Sequence, residues 1–217
     1  MIAEFIGTIV AGDGFDCILA AMSGSSDPRS HSLDDEVRTL LEVGSRGEAA
    51  GLIVRELGPE LLGYLHAVSS SADEADEVFG AYCERLLRGL ASYRGDASVR
   101  TWSYRIARNL LIDGRRARLR DRVRQPVTGE LAAMADRVRS RTATYLRTET
   151  KGRLAEIRAQ LPEEDRTLLV LRVDRQLAWK EVAAIMLDAP DRAGVARLRK
   201  RFERLVARLR DELQPSA

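Results

Sequence analysis

Arginine, asparagine and aromatic side chains are concentrated between Tyr93 and Arg120. Arginine can neutralise phosphates, and the flat faces of tyrosine and tryptophan can stack on unpaired bases. The amide of Asn109 can form two hydrogen bonds with the edge of an adenine. Because the acids of this stretch are Asp96 and Asp113 alone, the chemistry that the stretch favours is binding to nucleic acid. A solvated basic face on an amphipathic helix is the structural alternative.

A second charged group, the acidic cluster, lies at the start of a helix predicted for residues 72–90. Its members are Asp73, Glu74, Asp76 and Glu77. The positive end of the helix dipole stabilises acids there, and Ser71 with Glu74 is expected to form a capping box. These local effects are sufficient to explain the cluster. The alternative is a docking face for a basic partner.

A third charged group follows Pro190. The sequence predicts a short helix over residues 179–187, a turn at 188–191 and a longer basic helix over 192–213. This order is typical of a helix-turn-helix, whose second helix enters the major groove. There arginine reads guanine, and lysine or arginine elsewhere holds phosphate. The alternative is a helical hairpin with a solvated basic face.

These stretches resemble bacterial sigma factors of the sigma-70 family. Residues 73–79, residues 93–109 and Asp113 with Arg115 and Arg116 are similar to region two of the short extracytoplasmic-function (ECF) group. Residues 161–166, continuing to 179–183, resemble region four of the same proteins. The two blocks occur in the order found in the family.

The resemblance implies a transcription initiation factor that binds core RNA polymerase through its β′ clamp and β subunits and directs it to promoters. The loop Arg94–Ser98 would hold a flipped base of the non-template strand. The minus-ten candidates are Arg94, Asp96, Ser98, Arg105, Arg108, Asn109, Asp113, Arg115 and Arg116. The minus-thirty-five candidates are Arg192, Arg197, Lys200, Arg201 and Arg204. The polymerase-binding candidates are Asp73, Glu74, Asp76 and Glu77. An anti-sigma factor is a further partner that the resemblance admits.

The turn of the helix-turn-helix departs from the pattern of many relatives, which have a Gly-x-Ser-x-Gly-Thr-Val-like turn and then a Ser-Arg pair. Here Leu187 to Val195 makes a longer connection that contains Pro190. The base-reading residues of the family are therefore not carried over, and no promoter sequence is predicted.

The elements that position these residues are expected to be helices. Hydrophobic content is 45%, aromatic content 5% and charged content 31%, which suits an all-α protein better than a sheet sandwich. We predict two helical domains joined by a linker, with the helix-turn-helix in the second. The ranges are 1–32 for a flexible extension, 33–124 for the first domain, 125–150 for a linker too polar to form a core, and 151–213 for the second domain. Translation could start at Met1 or at Met22.

Three finer expectations concern the first domain. A helix over residues 48–57 should end near Gly58-Pro59, because proline interrupts helical hydrogen bonding. A further helix should cover residues 60–68. In the basic stretch, Trp102, Ile106 and Leu110 recur every four residues, so they should form the apolar seam, with Trp102 and Ile106 in the core.

Other functions find little support. The sequence contains no nucleotide-binding, zinc-protease or nucleophile-elbow motif, so we expect no enzyme, no cofactor, no metal and no small-molecule substrate. His31 and His66 are far apart, and Cys17 and Cys83 are isolated. No apolar run could span a membrane, and the default setting is the cytoplasm. The alternative functions are a helix-turn-helix regulator that binds duplex DNA only, and an adaptor that binds polymerase or resembles an anti-sigma factor.

Overall fold

The computed structural model describes residues 28–117, 129–149, 158 and 160–213; within them, the side chains of 28–31, 115–117, 141–149 and 213 are not described. These residues form two compact units, one up to residue 149 and one from residue 158. The described segments contain helices and no strand, which confirms the predicted all-α class. Most of the predicted flexible extension, including Met22, lies outside the described residues. No described helix combines the length and the apolar character needed to cross a lipid bilayer.

Within the described residues, the first unit contains five helices: α1 (Pro28–Glu42), α2 (Arg46–Val68), α3 (Ala72–Gly89), α4 (Val99–Ala117) and α5 (Glu130–Glu149), with a 3-10 turn at Leu90–Ser92. Helix α1 begins at Pro28, inside the range predicted to be flexible. Proline is favoured in the first turn of a helix, and Leu33 and Val37 are buried. Packing of Leu33 and Val37 therefore stabilises α1 beyond its first turn.

Helix α2 is continuous through Pro59, so the predicted break at Gly58-Pro59 is wrong. Proline removes one hydrogen bond from the helix, but its ring lies on the exposed side of α2. Gly58, Leu61 and Leu62 around it are buried against the rest of the unit. Burial of this face therefore offsets the missing hydrogen bond, since tertiary packing supplies most of the stability of helices in proteins.

The buried face of α4 differs from the predicted seam. Val99, Tyr104, Ala107 and Leu111 are buried, as is Ser103. Trp102, Ile106 and Leu110 are only half-buried. The small side chains of Ser103 and Ala107 let α4 lie close to its neighbours, so the core face is rotated toward them. The large apolar residues border that face.

Helix α5 corrects the expectation of a linker too polar to form a core. Ala135 and Val138 on its inner side are buried. A Cβ atom added to Gly58 would come within 3.1 and 3.3 Å of the Val138 methyl carbons, so α5 lies directly on α2. A few small apolar residues are enough to pack α5 against α2, because Gly58 lets the two helices lie close together.

The second unit contains α6 (Glu163–Leu169), α7 (Trp179–Met186) and α8 (Arg192–Leu213), and α6 continues as a π-helical turn at Val170–Asp174. The predicted bounds of α8 are confirmed, and those of α7 differ by one residue. The core of this unit is formed by apolar residues of all three helices and of the π-helical turn: Leu168, Leu169, Leu171, Val173, Trp179, Val182, Ala183, Met186, Leu198, Phe202, Leu205 and Leu209. Val195 is half-buried.

Candidate nucleic-acid interface

The loop that precedes α4 is closed by its own side chains. The Tyr93 hydroxyl donates to the Ala97 carbonyl at 2.7 Å. Gly95 has a φ of +77°, a conformation that glycine adopts without the penalty other residues incur. Arg94 and Asp96 are exposed at the tip. The loop therefore presents one basic and one acidic side chain on a backbone held at its two ends.

Two residues fix the junction between this loop and α4. Ser98 caps the helix, since its Oγ accepts from the Thr101 amide at 3.1 Å and donates to Thr101 Oγ1 at 3.0 Å. Asp34 of α1 accepts from the Val99 amide at 2.7 Å. Ser98, a minus-ten candidate, thus has a structural role in the protein itself. Asp34 was not anticipated, because nothing local marks a contact between residues so distant in sequence.

Tyr93 and Trp102 form an aromatic pair beside the loop. Their ring centroids are 4.8 Å apart at an interplanar angle of 40°. Burial, reinforced by the charge of Asp34, raises the pKa of Tyr93 to about 12. Its hydroxyl therefore stays protonated at neutral pH and remains a donor. A Cβ on Gly89 would lie 2.9 Å from the Trp102 ring, so α3 closes the other side of that ring.

The outward face of α4 carries the predicted polar row. Arg105, Asn109 and Asp113 are exposed and follow one another at four-residue steps, so they lie along one side of the helix. Arg108 is half-buried next to this row. Arg115 and Arg116 belong to the last turn of α4, but their side chains are outside the described ones. The structure thus groups Arg105, Asn109 and Asp113 into one continuous surface.

The opposite face of α4 is fixed by polar contacts that the sequence did not reveal. Glu60 of α2 accepts from Arg100 Nε at 3.0 Å and from the Tyr104 hydroxyl at 2.8 Å. The Tyr82 hydroxyl donates to Ser103 Oγ at 3.1 Å in the core. Buried hydrogen bonds of this kind specify one rotation of a helix, because any other leaves polar groups without partners. They therefore determine which side of α4 reaches solvent.

The acidic cluster is divided by the structure. Glu74 is only 2% exposed, and its carboxylate accepts from the Ser70 amide at 2.6 Å while Ser71 Oγ accepts from the Glu74 amide at 3.1 Å. The capping contact from Ser71 is confirmed, and Glu74 returns it to Ser70 rather than to Ser71. The expectation that Glu74 faces a partner is therefore corrected.

The other three acids reach the surface to different extents. Asp73 and Glu77 are exposed. Asp76 is half-exposed and lies 3.3 Å from His66 Nε2. Three carboxylates of the cluster thus remain accessible on one helix of the first unit.

Helix α8 presents Arg192, Arg197, Lys200 and Arg204 to solvent. Arg201 differs from them, because its Nε lies 2.6 Å from Asp165 Oδ1 and its NH1 is paired with Glu164. Arg199 and Arg208 are also exposed, so the basic surface of α8 contains six exposed cations. Arg201 joins α8 to the start of α6.

The turn before α8 has a closely packed geometry. Asp191 caps α8, accepting from the Gly194 amide at 2.6 Å. A Cβ on Gly194 would lie 2.6 Å from Leu187 Cδ1, so a larger residue where the two helices meet would require the side chain of Leu187 to shift. The predicted turn at 188–191 is confirmed.

Arg172 is a buried cation in the second unit. It is 2% exposed, its NH1 donates to the Leu177 carbonyl, and its guanidinium lies 4.5 Å from the Trp179 ring centroid. Burial, with the nearby charge of Arg199, lowers the pKa of Arg172, and Glu181 opposes this shift. Trp179 also packs edge-on against Phe202 at 5.6 Å. The position of Arg172 within an apolar run was the sequence signal that could have predicted its burial.

The geometry of the described residues supports binding and does not itself indicate a catalytic reaction. Across the described ranges, no three or more His, Cys, Asp and Glu residues are grouped to hold a metal ion. Cys83 is buried, and burial raises the pKa of its thiol to about 12, so the thiol is not activated as a nucleophile. What the two units offer is an exposed polar row on α4, three accessible acids on α3 and a basic face on α8.

The sequence is similar to those of known proteins. Residues 53–122 match the family described as Sigma-70 region 2. The RNA polymerase sigma-H factor of Pseudomonas aeruginosa is 30% identical over 190 residues, which cover 83% of this chain and 95% of that protein. The RNA polymerase sigma factor YlaC of Bacillus subtilis is 28% identical over 62% of this chain and 77% of that protein. The ECF RNA polymerase sigma-E factor of Escherichia coli is 29% identical over 86% of this chain and 97% of that protein.

The matched segment contains α3, the loop and all of α4, which carry the acids and the polar row described above. The similarity to the sigma-H factor extends over nearly all of that protein. These findings favour an initiation factor over a regulator that binds duplex DNA only, and imply binding to RNA polymerase and to promoter DNA. The chain belongs to the ECF group of the sigma-70 family and is a transcription initiation factor.

Proposed function

We propose that the two units divide promoter recognition, the first binding polymerase and the single-stranded minus-ten element and the second binding the minus-thirty-five element as duplex. The observation that carries the proposal is the placement of exposed acids on α3 and an exposed polar row on α4 within one unit. A protein that binds only duplex DNA has no need of an acidic docking face. The two surfaces together suit a protein that holds an enzyme and a melted strand at once.

In the minus-ten interaction, Arg105 and Arg108 neutralise phosphates, whereas Asn109 and Asp113 both contact base edges. Arg115 and Arg116 extend this surface along α4. At the loop, Arg94 and Asp96 contact an extruded base. Ser98 acts indirectly by capping α4, since both of its hydrogen-bonding directions are used within the chain. Extruding a base costs a few kcal/mol of stacking, which these contacts must offset.

In the minus-thirty-five interaction, Arg192, Arg197, Lys200 and Arg204 contact duplex DNA. Arginine can read guanine in the major groove, and the remaining cations hold phosphate. Arg201 orients α8 through Glu164 and Asp165 and does not itself read DNA.

Polymerase binds through Asp73, Asp76 and Glu77, which face the β′ clamp, and the second unit contacts the β subunit. An anti-sigma factor would compete for these surfaces. The chain acts in the cytoplasm, where polymerase meets chromosomal promoters, and contributes binding energy without catalysing a reaction.

In vitro transcription with core polymerase tests this proposal. The chain should direct specific initiation on a promoter template, and core polymerase alone should not. Asp73→Lys with Glu77→Lys should reduce initiation and polymerase binding together, whereas Asn109→Ala should reduce initiation alone. Binding to duplex promoter DNA with no stimulation of polymerase would instead support a duplex-only regulator.

A further inference from the structure

Helix α5 fills a groove between α2 and α3 of the first unit. Val138 lies over Gly58, and Met134 lies over Gly51, where an added Cβ would come 3.6 Å from the methionine Cε. Ala135 and Val138 are buried. Glycine at the groove floor allows one helix to approach another closely. The groove is therefore shaped to receive a helix, and α5 occupies it.

Arg139 links α5 to the main chain of the acidic cluster. Its NH2 donates to the Asp76 carbonyl at 3.1 Å, and its guanidinium carbon lies 5.8 Å from the centroid of the Phe79 ring. A Cβ on Gly80 would come 3.0 Å from the same nitrogen. Asp136 orients the guanidinium by accepting from NH1 at 2.6 Å. A residue of α5 thus covers the part of α3 from which Asp76 projects.

We propose that this groove is an interaction surface shared by α5 and core RNA polymerase, so that α5 restrains polymerase binding until it moves away. The proposal rests on the docking role proposed for Asp73, Asp76 and Glu77. A partner that approaches Asp76 meets Arg139 at the same residue, so the two compete for one place. When only the uncovered fraction of a protein can bind, the apparent affinity is reduced by that fraction.

The contact is suited to reversible release. Among the described side chains of α5, Ala135 and Val138 are buried, and Leu131, Ala132, Met134 and Arg139 are half-buried. Arg139 and Asp136 form their ion pair within α5 itself, and this pair survives undocking. This ion pair is therefore not lost when polymerase displaces the helix.

A release variant tests the first consequence. Val138→Asp places a charge in the groove and should undock α5, raising the apparent affinity of the full chain for core polymerase at least about threefold. Ala133→Asp is the matched control, because it adds the same charge to an exposed position of the same helix and should leave affinity unchanged. Equal affinity for both variants, with helical content retained, would overturn the proposal.

A cross-linked variant tests the second consequence and does not depend on a destabilising substitution. Cysteines at Gly58 and Val138 replace groups already in contact, so this pair is chosen for a disulfide between α2 and α5; Cys17→Ser removes a competing thiol. The oxidised protein should bind polymerase at least about tenfold more weakly than the reduced protein. Undiminished binding by the oxidised protein would show that α5 is a permanent part of the unit.

The Asp73→Lys, Glu77→Lys variant separates the two proposals. If it weakens polymerase binding and the cross-link does not, α5 plays no restraining role and the docking face stands. If the charge reversal does not weaken binding, the docking role of the acids is wrong, and so is the restraint that rests on it.

Discussion

Arg201 and Arg197 lie on the same helix but have different surroundings, so their loss should have different effects. Arg201→Ala removes the nearer of two arginines that pair with the half-buried Asp165 and should lower the free energy of unfolding by about 1–3 kcal/mol. Arg197→Ala should change stability by less than about 0.5 kcal/mol. It should lower duplex affinity and reduce the salt slope by about one.

Thermal melts and fluorescence titrations with promoter duplex at several salt concentrations would measure both effects. Lys180→Ala, at an exposed position of α7, provides a control outside the proposed interface. If folded Arg201→Ala loses as much duplex affinity as Arg197→Ala, Arg201 belongs to the DNA interface after all.

Trp102 and Asn109 should also separate stability from promoter opening. Trp102 is half-buried, so Trp102→Ala should cost about 1–3 kcal/mol, less than the roughly 3–5 kcal/mol of a fully buried ring. Asn109→Ala should leave stability and polymerase binding unchanged. It should decrease open-complex formation, because Asn109 lies on the exposed row of α4.

Denaturant unfolding, polymerase titration and permanganate footprinting of the bubble, made on the same two variants, would test this separation. A premelted promoter should recover only the part of the defect that arises from opening. Normal opening by Asn109→Ala would remove that residue from the minus-ten surface.

Capping of α3 is the strongest test at the scale of the elements. Ser71→Ala removes an acceptor from the Glu74 amide and should lower the free energy of unfolding by about 1 kcal/mol. Ser71→Asp should retain most of the stability, because aspartate is an equally good N-cap. Urea unfolding of the two variants would measure the difference, and equal stability would show that Ser71 does not stabilise α3.

The sequence predicted elements well where local signals and burial agree. The helix-turn-helix has an apolar stripe at helical spacing and a proline in its turn, and α7 and α8 follow the prediction closely. At α2 the same kind of local signal misled, because Gly58 and the residues after Pro59 are buried. Burial is set by α3 and α5, which the local sequence does not specify.

The features of the candidate site that the sequence did not predict depend on long-range contacts. Arg201 was a reasonable DNA contact from its helical position, but its partners lie on α6. The packing of α5 depends on Gly51, Gly58 and Gly80, none of which carries a pattern that points to a distant helix. The exposure of Asn109 could be predicted from the polar spacing along α4, although the exact core face depends on contacts with α2 and α3.

At the scale of the whole molecule, charge reversal should affect polymerase and DNA binding in opposite directions. The formal net charge is +2, and each reversal in Asp73→Lys, Glu77→Lys makes it more positive by two. Loss of the acids should weaken polymerase binding, with a smaller loss at high salt. The added positive charge should strengthen non-specific binding to DNA.

Polymerase pull-downs and titrations with non-promoter DNA, each at low and high salt, would measure the two effects. Circular dichroism should show unchanged helical content. A parallel decrease in both affinities would indicate damage to the fold rather than loss of a docking face.

The two tryptophans of the chain give each unit its own optical reporter. Trp102 is half-buried beside the loop in the first unit, whereas Trp179 is buried among Arg172 and Phe202 in the second. Emission from an indole responds to its solvent contact, so a soluble quencher should reduce the Trp102 signal much more than the Trp179 signal. In Trp102→Phe the tryptophan emission comes only from the second unit, and in Trp179→Phe it comes only from the first. Stopped-flow recordings on the two proteins would therefore time the engagement of each unit with a promoter without an attached dye.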